Sequence, residues 1–228
     1  MWSFYGSKSK IVKKYPAPHM DRIIEPFAGS ARYSLLYWEK DVELWDKYPV
    51  VVGIWKWLQQ CSPKDIMSLP SMKGGEHVDS YSFDCEEARN LMGFIINQGS
   101  SVPKRSVSKT FGNGKMELLI EREKNRIVED LHKIKHWKIN LGDYRDIENS
   151  HATWFIDSPY QHGGQYYHSS VNNKHIDFKS LAEWCESRNG QIIVCENDKA
   201  DWMDFKYLSD LSGSIHKTKE VIWYKSYI

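Results

Sequence analysis

Several things are scarce in this 228-residue chain, and each scarcity narrows what it does. Its four cysteines, Cys61, Cys85, Cys185 and Cys195, are widely spaced and form no C-x-x-C pair. Neither a zinc site nor a disulfide framework is expected, and the thiols read as reduced. No apolar run approaches the length that spans a bilayer. The opening Met1-Trp2-Ser3-Phe4-Tyr5-Gly6-Ser7-Lys8 lacks the basic-then-apolar layout of a signal peptide, so a cytoplasmic chain without membrane contact is expected. Bulk charge is nearly absent at +1, which selects no partner by itself and leaves any basic surface confined to one face. Internal repeats and low-complexity tracts are also missing. His132 and His136 have the spacing of helical metal ligands, but no Glu follows His132 and no third ligand is near, so no metal is expected.

Aromatics are plentiful, with ten Trp and thirteen Tyr, and the length suits one domain carrying an insertion. Near the start, Phe4-Tyr5-Gly6-Ser7-Lys8-Ser9-Lys10-Ile11-Val12 places a small turn beside two ammonium groups, which could hold a carboxylate or simply be a solvated basic tail. Arg22-Ile23-Ile24 reads as a strand running into Glu25-Pro26-Phe27-Ala28-Gly29-Ser30-Ala31, and Arg32 to Glu39 as a helix burying Leu35, Leu36 and Trp38. Gly29 and Ala31 leave room for a ligand against the backbone, and Ser30 is expected to cap the helix. The loop lacks the full G-x-G-x-x-G spacing, which argues against a nicotinamide dinucleotide domain. A second strand, Val42 to Trp45, ends in Asp46, where a βαβ unit delivers a carboxylate to ribose hydroxyls; a turn aspartate fits the position equally. Pro49 suits the first turn of a helix carrying Val52, Ile54, Trp55 and Leu58.

From Ser62 the pattern changes, with Pro63, Pro70, Gly74 and Gly75 interrupting it. Between Ala88 and Met116 no acidic residue occurs, while Arg89, Lys104, Arg105, Lys109 and Lys115 do. The loops Asn97 to Ser101 and Thr110 to Gly114 carry the amide and hydroxyl groups that contact phosphates and base edges. Glu117 to Lys135 reads as an amphipathic helix with Ile120, Ile127, Leu131 and Ile134 inward, and with Arg122, Lys124 and Arg126 outward.

Trp137 to Leu141 reads as a strand closed by Gly142-Asp143-Tyr144. Then Trp154-Phe155-Ile156 runs into Asp157-Ser158-Pro159-Tyr160: a buried strand ending on a carboxylate, a constrained backbone carbonyl and an aromatic ring. Two acceptors and a stacking face suit a planar base bearing an amino group. Gln161 to Lys174, without apolar periodicity, reads as a mobile flap containing Tyr166 and Tyr167. Asp177 can cap a helix with Leu181, Trp184 and Cys185, and Gly190 can end it. Gln191 to Cys195 and Val221 to Tyr224 are the remaining strands.

In this order the motifs resemble the Dam-like DNA adenine-N6 methyltransferases, which run from an amino-terminal Gly-x-Lys turn through a Pro-Phe-x-Gly-x-Gly loop to Asp-Pro-Pro-Tyr. The likeness covers most of residues 1 to 60 and 136 to 228. It implies an α/β, Rossmann-like methyltransferase fold, with a mixed, mostly parallel sheet flanked by helices. Residues 1–61 and 136–228 would form the S-adenosylmethionine-binding catalytic domain, and 62–135 a small, mainly helical target-recognition insertion. By the same resemblance Asp157, Ser158, Pro159 and Tyr160 are catalytic. Tyr5, Gly6, Lys8, Glu25, Pro26, Phe27, Ala28, Gly29, Ser30, Asp46, Asp143, Tyr144 and Asp157 would bind S-adenosyl-L-methionine. Lys104, Arg105, Lys109, Lys115, Arg122 and Arg126 would bind double-stranded DNA. The expected protein is a monomer or weak dimer, without metal, that flips an adenine from the duplex. Here Ala31 stands for the last glycine of the loop, and Ser158 for the first proline of the tetrapeptide. Methylation of RNA or of a protein amide, and a catalytically weakened DNA-binding relative, remain as alternatives.

Overall fold

Runs of β-branched and aromatic residues too short for helices build the sheet. The computed structural model describes residues 1–110, 114–212 and 217–226. Its strands are β1 (Arg22–Glu25), β2 (Asp41–Asp46), β3 (Lys138–Leu141), β4 (Ala152–Ile156), β5 (Gly190–Asn197), β6 (Lys206–Ser212) and β7 (Lys217–Ser226). They form one sheet in the order β3-β2-β1-β4-β5-β7-β6. The first five pair in parallel, and β7 lies antiparallel between β5 and β6. The expected α/β class with a mostly parallel sheet is therefore present, in an arrangement compatible with a Rossmann-like fold.

Alternation along β4 explains why every residue of it is buried. Trp154 and Ile156 join Leu181 and Cys185 of the helix Phe178–Glu186, together with Ile24, Ile192 and Val194. Phe155 points to the other face, where it stacks on Tyr33 of the short helix α1 (Arg32–Leu36) at 4.2 Å between centroids and meets Tyr15 edge-on at 5.0 Å. Helical segments thus cover both faces of this strand, and each large side chain so buried contributes about 1.5–3 kcal/mol.

The chain divides into two units. Lys8–Tyr48 and His136–Ile228 carry the sheet, while Met1–Ser7 and Pro49–Lys135 form a helical unit. The latter contains α2 (Pro49–Gln60), α3 (Pro63–Met67), α4 (Glu86–Ile95) and α5 (Lys115–Asp130). The sequence boundary after residue 61 falls instead before Pro49, because α2 buries Val51, Val52, Ile54, Trp55 and Leu58, with Trp55 packed on Trp2 at 4.7 Å. Pro63, expected to break the pattern, begins α3 inside a capping box made by Ser62 and Asp65. The later helix Phe178–Glu186 is α6, capped as expected by Asp177.

Other expectations need correction. Helix α1 stops at Leu36, and its buried residues are Tyr33 and Ser34 rather than Leu35, Leu36 and Trp38. Ser30 does not cap it: Ala31 holds that position with φ 43° and no side chain caps the helix there. The Glu25 carboxylate instead accepts the Ser34 amide at 2.8 Å, which fixes the phase of the helix. The segment after Tyr160 is tethered rather than loose, with short 3-10 turns at Gly164–Tyr166 and Asn173–His175 and an Asn173 side chain bonded to the Gln161 carbonyl at 2.9 Å. Strand β6 had no counterpart in the sequence reading.

Gly190 starts β5 rather than ending α6, at φ +99°. A Cβ there would lie 2.4 Å from the Ala152 carbonyl oxygen. Gly190→Ala is expected to cost roughly 2–4 kcal/mol, from left-handed backbone strain plus the clash between paired strands. Urea denaturation measures this; a cost under about 1 kcal/mol would mean that β4 and β5 separate easily at this edge.

Candidate functional site

Parallel pairing brings the ends of β1, β2, β4 and β5 to one edge of the sheet. The strand order runs outward from β1 in one direction and from β4 in the other, so the chain reverses between these two neighbours. Open α/β sheets bind ligands outside the strand ends at such a switch point. The loop Pro26–Ala31 follows β1 and the loop Asp157–Tyr160 follows β4, so both sequence motifs lie at the ends of the two strands that meet at that switch point.

The first loop is held by its backbone. Ala28 donates its amide to the Trp45 carbonyl at 2.9 Å, and Gly29 donates to Asp46 Oδ2 at 2.9 Å. Gly29 and Ala31 both adopt positive φ, at 45° and 43°. Asp46 Oδ1 accepts the Tyr48 amide at 2.8 Å. Burial pushes the Asp46 carboxyl up to about 6, against the pull of the Gly29, Tyr48 and Lys47 amides. Asp46 thus locks the loop onto β2 and keeps spare lone pairs on both oxygens. Phe27 packs on Tyr144 at 5.6 Å, and Tyr144 in turn on Trp184 at 5.2 Å.

The second loop is organised by a lysine. Lys8 Nζ lies 2.6 Å from Asp157 Oδ1, 3.9 Å from Glu220 Oε1 and 4.6 Å from the Tyr160 ring centroid. The carboxylate that the amino-terminal turn holds is therefore the protein's own. Tyr15 and Tyr160 each donate a hydroxyl to Glu220 Oε1 at 2.5 Å. Antiparallel pairing of Glu220 with Asn197 brings this acid to the same sheet edge. Nearby, Glu196 accepts the Gln161 amide at 2.6 Å, anchoring the chain as it leaves Tyr160.

One ammonium serves several carboxyls. Burial by itself would weaken the Lys8 ammonium, yet Asp157 and Glu220 hold its pKa above the ordinary range. Burial pushes Asp157 up to about 6, with Lys8 opposing and Glu220 reinforcing. Glu25 rises to about 8 and Glu196 to about 7, both chiefly through burial. The lysine stays charged, while the acids share the excess negative charge and retain protons to higher pH. Burial also raises the Cys195 thiol, which is inert at neutral pH.

Other expected site residues are otherwise engaged or belong to the helical unit. Asp143 caps a short turn, bonds Arg145 Nε at 2.7 Å and Lys47 Nζ at 3.1 Å, and is held down at about 2 by those cations despite its burial. Tyr5 and Gly6 belong to the helical unit, where the Tyr5 amide bonds the Ser100 carbonyl at 3.1 Å. In that unit the basic strip is partly neutralised from outside its own sequence: Asp79 bonds both Arg89 and Arg105. Arg126 pairs with Glu123, and Arg122 lies 3.8 Å from the same acid. Lys124, read as outward, is buried, because its Nζ reaches the Met67 carbonyl at 3.3 Å and Glu121 at 2.9 Å. The Asn97–Ser101 loop spends its polar groups internally, with Gln98 on Glu123 and Ser100 Oγ on the Val102 carbonyl. The Thr110–Gly114 loop lies partly outside the described residues. Among the described residues, Lys104, Lys109 and Lys115 are exposed and make no ion pair within 4 Å, and no group of three or more His, Cys, Asp or Glu could hold a metal.

Sequence reading missed Glu220, Tyr15 and Glu196. Glu196 ends an apolar strand as Asp46 and Asp157 do, a signal that would have found it. Glu220 follows Lys217-Thr218-Lys219 and looks like part of a solvated run.

No helix among the described residues is long and apolar enough to cross a membrane. No family model matches the chain, and no curated protein matches it.

Proposed function

We propose that this chain transfers a methyl group from S-adenosylmethionine to the exocyclic amino group of an adenine in double-stranded DNA. The observation that carries the reading is the pair of loops, Pro26–Ala31 and Asp157–Tyr160, flanking the point where the strand order reverses. The residues present fit the cofactor: Asp46 keeps lone pairs for ribose hydroxyls while accepting the Gly29 amide on Oδ2 and the Tyr48 amide on Oδ1, and Gly29 and Ala31 turn the loop backbone in the left-handed region beside it. Asp143, spent on Arg145 and Lys47, is given no cofactor contact.

When bound, S-adenosylmethionine supplies an electrophilic methyl on a sulfonium. The chain's own residues act on the amine, whose lone pair is delocalised into the base. The Asp157 carboxylate, which has acceptor capacity beyond its bond to Lys8, takes one amino hydrogen, and the Ser158 carbonyl takes the other. Together they draw the nitrogen toward tetrahedral geometry. Lys8 holds the carboxylate in position, and positioning with electrostatics supplies the acceleration. Because the nitrogen is out of reach inside a duplex, the base must leave the stack.

Transfer of labelled methyl to DNA, RNA and protein tests this directly, backed by digestion of DNA with methylation-sensitive nucleases after expression. Label in adenine of DNA supports the reading; label in RNA or protein alone replaces its substrate. A second reading, a chain that binds cofactor and DNA without turnover, is favoured by the ammonium seated on Asp157 and by the missing proline ring at Ser158. Cofactor binding without label in any acceptor would select it.

The exposed lysines give a further expectation. Lys104→Gln with Lys109→Gln should reduce the slope of log affinity against log salt by about 2, since each phosphate contact contributes about 0.9. An unchanged slope in a filter-binding titration would remove this strip from the DNA face.

A further inference from the structure

We infer that Glu220 receives the proton released by methyl transfer, reached from Asp157 through the Tyr160 hydroxyl. The inference rests on the transferase reading above. A neutral amine that gains a methyl and stays neutral must lose one proton, and the Asp157 carboxylate bonded to that amine takes it first. Asp157 then sits, protonated, beside Lys8, which is a poor recipient because it is already an ammonium held by two carboxylates.

The remaining neighbour is Tyr160. Its one phenolic proton is within hydrogen-bonding reach of two carboxyls, donated to Glu220 Oε1 at 2.5 Å and also able to bond Asp157. The step balances without charging the ring: the Asp157 O–H breaks as a new O–H forms on Tyr160, while the original Tyr160 O–H breaks as one forms on Glu220. Asp157 returns to a carboxylate, ready for the next amine.

Glu220 is built to accept. It is 1% exposed, Tyr15 fixes its orientation by a second hydroxyl on Oε1, and its Oε2 is buried without a hydrogen-bond partner. A buried carboxylate oxygen left bare is costly, and a proton arriving on this carboxyl relieves that cost. The groups facing Asp157 are Lys8, Glu220, Tyr160, Tyr15, Glu25 and Cys195; those facing Glu220 are Lys8, Asp157, Tyr15, Tyr160 and Cys195. Glu220 acts through Tyr160 and does not touch the substrate.

The test uses Glu220→Gln, which keeps an oxygen for both tyrosines, Tyr160→Phe, which removes the bridge, and the double variant. Single-turnover transfer to an adenine-containing duplex is measured from pH 5 to 9. In parallel, the Asp157 carboxyl is titrated by carbon-13 resonance in the chain alone. Each single variant should transfer roughly 10²-fold more slowly near neutral pH, and the double variant no more slowly than the worse single one, since both interrupt one path. The Asp157 midpoint should fall in Glu220→Gln, which removes a neighbouring negative charge, and rise in Tyr160→Phe, which removes a donor. Wild-type rates and pH profile in Glu220→Gln, or losses that multiply in the double variant, would overturn the inference. If the wild-type chain labels no nucleic acid, the transferase reading falls; unshifted midpoints in that case overturn the Asp157–Glu220 coupling as well.

Discussion

Asp157→Asn is expected to lower single-turnover methyl transfer by about 10²–10³-fold, the range seen when one preorganised electrostatic contact is removed from a transition state. Asparagine keeps the shape and an oxygen for the Lys8 ammonium, so the loop is retained, whereas alanine would leave the buried Lys8 against Glu220 alone and cost stability. In the proposed reaction, what asparagine loses is the charge that draws the amine hydrogen away as the nitrogen commits its lone pair. Cofactor affinity, assigned to the Pro26–Ala31 loop and Asp46, should change little, and equilibrium binding separates this from a general collapse. The wild-type rate should climb through pH about 6, where Asp157 loses its proton, and level off above it. Transfer by Asp157→Asn within threefold of wild type would remove the carboxylate from the chemistry.

The second large effect is on stability. Urea-derived unfolding free energy is expected to fall by several kcal/mol between pH 5 and pH 8. The sign follows from the direction of the shifts. Glu25 at about 8, Glu196 at about 7, and Asp46 and Asp157 at about 6 all keep protons in the folded chain that they release when unfolded. Over that window the native state binds more protons, so each still-protonated carboxyl costs roughly 1.4 kcal/mol of stability per pH unit gained. Lys8, raised, contributes its full stabilisation below its ordinary pKa and is flat across this range. Asp143 and Asp130, lowered, stabilise above the usual carboxylate range, and that contribution is lost only as the pH falls below about 4. Maximum stability should therefore lie near pH 5. Glu25→Gln, which still offers an oxygen to the Ser34 amide, should flatten the decline above pH 6. A profile that rises or stays level from pH 5 to pH 8 would show that these carboxyls are more hydrated than their burial implies.

What sequence could reveal followed the range of the interactions. Strands β1, β2, β4 and β5 were legible because apolar runs ending in turn residues are local signals, and Pro49 and Asp177 marked helix starts for equally local reasons. The loops after β1 and β4 could be read for the same cause: each is a strand end followed at once by its distinctive residues. Contacts across the chain were opaque. Lys8 meets Asp157 over 149 residues, and Tyr15 meets Glu220 over 205, with no periodicity linking them. Asp143 and Asp46 looked alike in sequence, yet Arg145 and Lys47 surround the first while backbone amides surround the second. The acid-free stretch from Ala88 to Met116 suggested free positive charge, but Asp79, nine residues before it, bonds Arg89 and Arg105. Strand β6 escaped notice because Lys206–Ser212 mixes polar and apolar residues at the outer edge of the sheet, where only one neighbour constrains them.

A single carboxylate oxygen on β7 gathers hydroxyls from residues 15 and 160, so it ties together the earliest, middle and latest parts of the sheet unit. While the chain is being synthesised, everything before β7 can be extruded with β1 to β5 already paired and Lys8 on Asp157, yet Tyr15 and Tyr160 have no shared acceptor until β7 slots between β5 and β6. A ribosome-bound intermediate lacking that hairpin would carry an incomplete pocket, and competence would arrive late, as a switch thrown by closure of the final antiparallel pairing.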